Sequence, residues 1–433
     1  MNLELEGLAS NPALPSFLLD RLVHDATLAP DLAARGDLTE SHVRTLLSHG
    51  SSSVAYVLLS RRTVAPADVP LTDEAVALAV TSHPDADPSV ARVLAHHPDE
   101  SVRAELPEWA ASLPQDVIAR LAADTPPVVA ELLLFHAVPA SLASALSDHP
   151  SPEVRAALAR SPHTPAEVLT SLSPEPLARE LASNPATPPS LAADLLPWHA
   201  SRYYLASRTD LPESAYAALA SELEPGILAN LAANPAVPVP ILRSLAETPT
   251  LRGAVLHNPA IPLDLLVELA PVARTGANLV PRIESATPAE LESLAGSPVE
   301  QVRMMVASVV AGRPGVVLED LVARHGPWLY PRAAANPLCT PELLHHMASH
   351  ADSAATYRAV ARHPAAAGET LLLCLGDARA RHFAAAHPNL PEGTIMELLG
   401  SEFTAGAAAA NPSLPLYAME HLVGGGGYTV LIG

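Results

Sequence analysis

Lysine is absent from this chain of 433 residues, so all 25 basic side chains are arginine, against 46 acidic residues and a net charge of −21. So acidic a chain repels polyanions at a distance and lacks the many cationic phosphate contacts on which non-specific nucleic-acid binding rests. Without lysine there is no Schiff-base nucleophile and no lysine-bearing phosphate loop. Cysteine is almost missing as well: Cys339 and Cys374 exclude a disulfide framework and a cysteine-rich metal domain. Aromatic residues make up only 3% of a composition that is 49% hydrophobic, so the core is built from small and aliphatic side chains. No apolar run approaches the roughly 18 residues of a membrane span. The opening Met1-Asn2-Leu3-Glu4-Leu5-Glu6 has neither the basic region nor the apolar stretch of a signal peptide. A reducing cytoplasm is the expected location.

What is abundant is one string. Leu181-Ala182-Ser183-Asn184-Pro185-Ala186-Thr187-Pro188 has near copies at Leu8–Pro15, Leu231–Pro238 and Val255–Pro262, and looser ones around Asn336, His363, His387 and Asn411. The residue before the first proline defines a slot. Asn234 to Asn258, His363 to His387 and His387 to Asn411 are each 24 residues apart, the mark of a repeat array. Slots at Asn11 and Arg35 begin the series. His136, Ser161, Asn184, Arg208, Asn234 and Asn258 follow at gaps of 25, 23, 24, 26 and 24, and Asn336, His363, His387 and Asn411 resume it. The pattern is regular over 136–270 and 330–423. It is degraded over 50–135, with slots placed near Arg61, His83 and Ala110, and over 275–330, near Glu284 and Val309. The array therefore occupies 1–423, in about seventeen turns, and a Gly-rich link with an apolar tail occupies 424–433.

Each unit reads as two short helical pieces. Apolar residues at slot +7, +8 and +11 (Leu18, Leu19 and Leu22; Val168, Leu169 and Leu172; Leu265, Leu266 and Leu269) form a helical stripe. Proline at slot +4 suits the first helical position, with Thr164, Thr187, Thr287 and Thr340 before it as helix caps. The other piece ends at the slot, where the X-Pro bond pushes the backbone out of the helical region. Slot −2 is nearly always alanine, which lets neighbouring pieces approach closely. Neither piece can bury its apolar face alone, and stacking units does so. The expected fold is all-α.

The 24-residue unit, the Leu-Ala-x-Asn-Pro-x-x-Pro corner, the following Leu-Leu-x-x-Leu-Ala and the Val-Arg before the next corner resemble the leucine-rich repeat variant family. The resemblance implies a right-handed α-solenoid of alternating α- and 3₁₀-helices, without the sheet of ordinary leucine-rich repeats. Some members carry a cysteine-ligated iron–sulfur module, for which this chain has no ligand cluster, and no cofactor is expected. The resemblance carries over no enzymatic activity.

Two sets of residues stand out. The corner residues Asn11, Asn184, Asn234, Asn258, Asn336, His363, His387 and Asn411 are expected to be structural, satisfying free backbone groups and forming a ladder between turns. Arg155, Arg202, Arg252, Arg303 and Arg381 each lie six residues before a slot (Ser161, Arg208, Asn258, Val309 and His387), and equal register would align them in one ridge. One reading pairs each with an acid of a neighbouring unit, such as Asp148 or Glu153; the other makes the ridge a binding site for an extended acidic segment of a partner. His345, His346 and His350 invite a metal hypothesis, but no acidic ligand pattern accompanies them, and no metal site is assigned. No Gly-x-Ser-x-Gly string occurs, and Ser, His and Asp follow the repeat rather than one site. The expected function is a non-catalytic cytoplasmic scaffold for protein–protein interaction, with a nucleic-acid-binding helical-repeat protein and a metal-binding or enzymatic protein as the alternatives.

Overall fold

The computed structural model describes residues 2–272 and 280–425. The expectations for the tail fall outside the described residues, except at Gly424 and Gly425, which end the last helix, Leu416–Val423. Among the described residues the fold is all helical, with no strand. The helices are short, and the longest, Glu300–Ala311, has 12 residues. No helix among the described residues is long and apolar enough to cross a membrane.

The chain divides into two compact units, one of residues 1–63 with 288–433 and the other of residues 64–287. Both boundaries fall inside the degraded stretches of the repeat.

In the 64–287 unit, the pieces that end at the corners pack one on the next. Glu100–Trp109 lies against Pro126–Phe135, followed in turn by Pro152–Arg160, Pro174–Ser183, His199–Leu205, Pro225–Ala233 and Arg252–Leu256. The degraded residues up to 135 keep this two-helix alternation. In the other unit the row is Tyr330–Ala333, Ala354–Arg362, Arg381–Ala385 and Ala405–Ala409. It then passes to the beginning of the chain: Ala405–Ala409 packs on Leu3–Ala9, which packs on Ala29–Ala33 and through it on Ser52–Ser60.

The stripe residues at slot +7, +8 and +11 named above are all buried. So are the slot −2 alanines Ala9, Ala159, Ala182, Ala232, Ala385 and Ala409. Small side chains at these positions let neighbouring units approach closely.

Three local expectations are corrected. Among the described residues 3₁₀-helix is confined to Pro66–Asp68, Ala270–Val272 and Gly326–Leu329, and both pieces of a typical unit are α-helical. Alanine- and leucine-rich pieces favour the α form, and i→i−3 bonds such as that from the Asn184 amide to the Leu181 carbonyl close only the last turn. The slot +4 proline is the extended residue just before the helix rather than its first member, as at Pro15, Pro165, Pro238 and Pro415. Thr340 does cap its helix, accepting the Leu343 amide at 3.3 Å. Thr164 and Thr187 instead turn inward and donate back to the Leu158 and Leu181 carbonyls, each at 2.6 Å, sealing the previous helix.

Candidate functional site: the corner ladder and the arginine row

The corner creates a specific deficit. In an α-helix the carbonyl of slot −2 would accept the amide of slot +2. The residue at slot +1 is proline, without an N–H, and the slot side chain takes the slot +2 amide: Asn234 Oδ1 accepts the Ala236 amide at 2.9 Å, and Asn258 Oδ1 the Ala260 amide at 2.8 Å. The slot −2 carbonyl is left buried without a local donor, and such groups are almost always paired in folded proteins.

The next unit supplies the donor. Asn258 Nδ2 donates to the Ala232 and Asn234 carbonyls, both at 2.8 Å. Asn184 reaches Ala159 and Ser161 at 2.7 and 2.8 Å. Asn234 reaches Ala206 and Arg208 at 2.9 and 2.6 Å. Asn411 reaches Ala385 and His387, both at 2.8 Å. Asn336 reaches Ala311 and Arg313 at 2.8 and 3.2 Å, which puts the preceding corner at Arg313-Pro314 rather than at Val309. Each asparagine amide thus closes its own turn and spans two carbonyls of the turn before.

Histidine does part of this task, closing its own turn and reaching the slot carbonyl of the turn before rather than the slot −2 carbonyl. His363 and His387 accept the amides of Ala365 and Asn389 on Nδ1, both at 3.1 Å. An Nδ1 that accepts carries no proton, so Nε2 is the donor. It reaches the Asn336 and His363 carbonyls, both at 3.0 Å. Burial lowers the His387 pKa, in keeping with a neutral ring.

Arginine also links the turns, and at Arg35, though not at Arg208, it reaches the slot −2 carbonyl. Arg35, only 8% exposed, donates from one terminal nitrogen to the Ala9 and Asn11 carbonyls, both at 2.8 Å. Asp37 grips the rest of the fork at 2.8 and 2.7 Å. Arg208 reaches the Asn184 and Thr187 carbonyls at 2.9 and 2.7 Å, held by Asp210. These hydrogen bonds hold the Asp37 and Asp210 carboxyls below the usual carboxylate range. The sequence reading placed both arginines at slots and missed their partners; Arg-x-Asp at a slot is the signal that finds them.

The five arginines of the expected ridge are engaged within their own units, and with its corner at Arg313 the fourth, Arg303, lies ten residues before its slot rather than six. Arg155 and Arg303 donate to the carbonyls six residues earlier, those of His149 and Ser297 at 2.5 and 2.7 Å. Arg202, Arg252 and Arg381 do the same to Leu196, Ala246 and Leu375 at 2.9, 3.1 and 2.9 Å. All five are half-buried. A guanidinium at this register meets the C-terminal end of the preceding helix, whose last carbonyls lack helical donors and carry partial negative charge. Asp148 and Glu153 are not the partners of Arg155; an acid joins in only at Arg202, which also meets Glu222 at 2.9 Å.

Arg103, seven residues before Ala110, makes the same contact. It donates to the His97 carbonyl at 2.7 Å and grips Asp124 at 2.9 and 3.0 Å. Arg120 adds a bond at 2.8 Å, and the Asp124 side chain is 4% exposed. The Arg103 guanidinium holds the Asp124 carboxyl well below the usual range, at about 2.

Among the described residues no group of three or more His, Cys, Asp or Glu is placed to hold a metal. His346 and His350 stack with ring centroids 4.5 Å apart, and His350 Nδ1 is tied to the His346 carbonyl. His345 turns away to the Thr370 hydroxyl. Cys339 and Cys374 are buried, and burial pushes both thiols up to about 12.

No family model matches the sequence, and no curated protein matches it. Among solved structures, the crystal structure of an engineered protein from the Northeast Structural Genomics Consortium aligns over 93% of this chain and 98% of its own, at 15% identity and a TM-score of 0.16. A score that low carries no argument about fold or function.

Proposed function

We propose that this chain is an α-solenoid of the leucine-rich repeat variant type and serves as a non-catalytic cytoplasmic scaffold that binds a protein partner. The polar residues that recur with the repeat are engaged in joining turn to turn, which supports a structural role for them. The observation that carries the binding reading is apolar. Phe17 and Tyr417 occupy the same register, six residues after Asn11 and Asn411, and are 48% and 52% exposed. The helices that bear them, Ser16–Leu22 and Leu416–Val423, pack against one another, and Leu416 beside them is 47% exposed. In a chain with so few aromatics, two exposed on adjoining helices make the kind of anchor on which protein interfaces rely.

The partner's contact is therefore apolar and aromatic rather than an acidic segment along the arginine row, whose guanidinium groups are committed to carbonyls. Affinity capture with the wild-type chain and with a Phe17→Ser, Tyr417→Ser double variant tests this. A partner held by the first, lost by the second and re-bound when purified supports the reading, and equal capture by both refutes it. Filter binding to DNA at two salt concentrations tests the nucleic-acid alternative, which the charge of −21 disfavours.

A further inference from the structure

We infer that the first and last repeats carry the two mating halves of a binding surface for this chain itself, used within one chain in the present structure and open to a second copy when that junction is released. The junction reproduces the ordinary contact between neighbouring repeats. Asn11 Nδ2 donates to the Ala409 and Asn411 carbonyls at 2.9 and 2.7 Å, the slot −2 and slot carbonyls of the last complete corner. The Ala409 carbonyl needs that donor. Its helical options are Pro412, which has no N–H, and the Ser413 amide, which Asn411 Oδ1 takes at 2.8 Å. Arg21 adds a bond to the Val423 carbonyl at 3.2 Å.

Two glycines set the distance of approach. Gly7 and Gly406 lie inside helices, where glycine is disfavoured by about 1 kcal/mol relative to alanine. A Cβ on Gly7 would sit 1.9 Å from the Gly406 carbonyl oxygen, and one on Gly406 would sit 2.9 Å from the Leu3 carbonyl oxygen. The small residues are thus matched across the junction between Leu3–Ala9 and Ala405–Ala409.

The two halves differ, so the surface is heterologous: a first repeat mates with a last repeat and not with another first repeat. Held on one chain, the halves meet at high effective concentration, and the joined form prevails over association between copies. A chain whose own first repeat is spoiled still offers a sound last repeat, and the reverse holds for a chain with a spoiled last repeat.

The test uses full-length Gly7→Leu and Gly406→Leu variants, since leucine is a good helix former and its bulk acts only at the junction. Each variant alone is expected to stay monomeric by light scattering, to keep its helical circular dichroism, and to exchange amide hydrogens faster at 3–11 and 405–413. An equimolar mixture is expected to give a species of twice the monomer mass and to regain protection in those segments. A mixture that stays monomeric overturns the inference, as does equal self-association of either variant alone. Should a leucine variant lose helicity, Gly7→Ala and Gly406→Ala carry the same test with a single added carbon.

Discussion

Replacing Asn258 by alanine removes three hydrogen bonds, and they do not weigh equally. The Ala260 amide it accepts belongs to an exposed residue, so water takes over there at little cost. The Asn234 carbonyl keeps the Val237 amide at 3.3 Å. The Ala232 carbonyl has no helical donor left, because Pro235 has no N–H and Asn234 Oδ1 holds the Ala236 amide. One buried carbonyl stranded outright costs about 1–3 kcal/mol, and the weakened second one and the lost packing bring Asn258→Ala to about 2–4 kcal/mol. Asn258→Asp keeps the acceptor but turns an anion toward two carbonyl oxygens and should be worse. Asn258→His should fall between alanine and the wild type, since His363 and His387 keep the bond to the slot carbonyl of the turn before, here that of Asn234, and not the one to the slot −2 carbonyl. Urea unfolding followed by circular dichroism gives the order. Hydrogen exchange over 225–262 localises the damage, which matters because a repeat array need not unfold in one step. Asn230 is the control: its side chain makes one exposed bond at 3.2 Å, and its alanine variant should change stability by less than about 0.5 kcal/mol. An Asn258→Ala protein as stable as the control, or an aspartate no worse than alanine, would refute the ladder as a source of stability.

Arg155→Ala should lower stability by about 1 kcal/mol through loss of its charge-assisted bonds to the preceding helix end; melting unchanged with partner binding weakened would restore the ridge as a binding site. Ala232→Leu should cost about 1–3 kcal/mol by pushing the corner of the next turn away, read as a shift in the urea midpoint. Asp124 has a folded pKa near 2, below its free value of 3.8, so its contribution is present above pH 3.8 and lost as pH falls toward 2. Asp124→Asn should flatten that acid limb in a pH series of unfolding curves. His387 is shifted the same way in sign, below its ordinary 6.5, so stability should decline as pH falls through 6.5 and below, and His387→Asn should reduce that decline.

The helices were legible because their signal is periodic: Leu265, Leu266 and Leu269 recur at helical spacing, and the buried face follows. The corner residues were legible for the same reason, since Asn before Pro recurs at 24 residues. What each one touches was not, because the acceptor lies a whole repeat away and is a backbone carbonyl, which every residue has. The arginine row shows the limit most clearly. Equal register holds for four of the five, since Arg303 lies ten residues before its corner at Arg313, and register says only that they share an environment, which proved to be a helix end rather than solvent. The corner at Arg313 is hard to read because Ala311-Gly312-Arg313-Pro314-Gly315 lacks the asparagine and the second proline, and keeps only the slot −2 alanine and the X-Pro bond. The contact of the two chain ends could not be read at all: Asn11 and Asn411 look like any two members of the series.

That equivalence has a physical consequence. The corner turns its carbonyls toward the next unit, and Asn, His and Arg each place a donor within about 3 Å of one or two of them, with different reach. Asparagine does so alone, histidine covers one carbonyl, and arginine needs an aspartate two residues on to hold its fork. Where none is present the backbone itself serves: at Ala110 the amide of Ala111 donates to the Thr81 carbonyl at 2.9 Å. A link this permissive tolerates drift of the slot residue, as it does at Ala110. It also means that any turn presenting such a donor at the right height can follow any corner. The chain's own first repeat meets that condition for its last, and it does so with the same two bonds that join Asn258 to its predecessor.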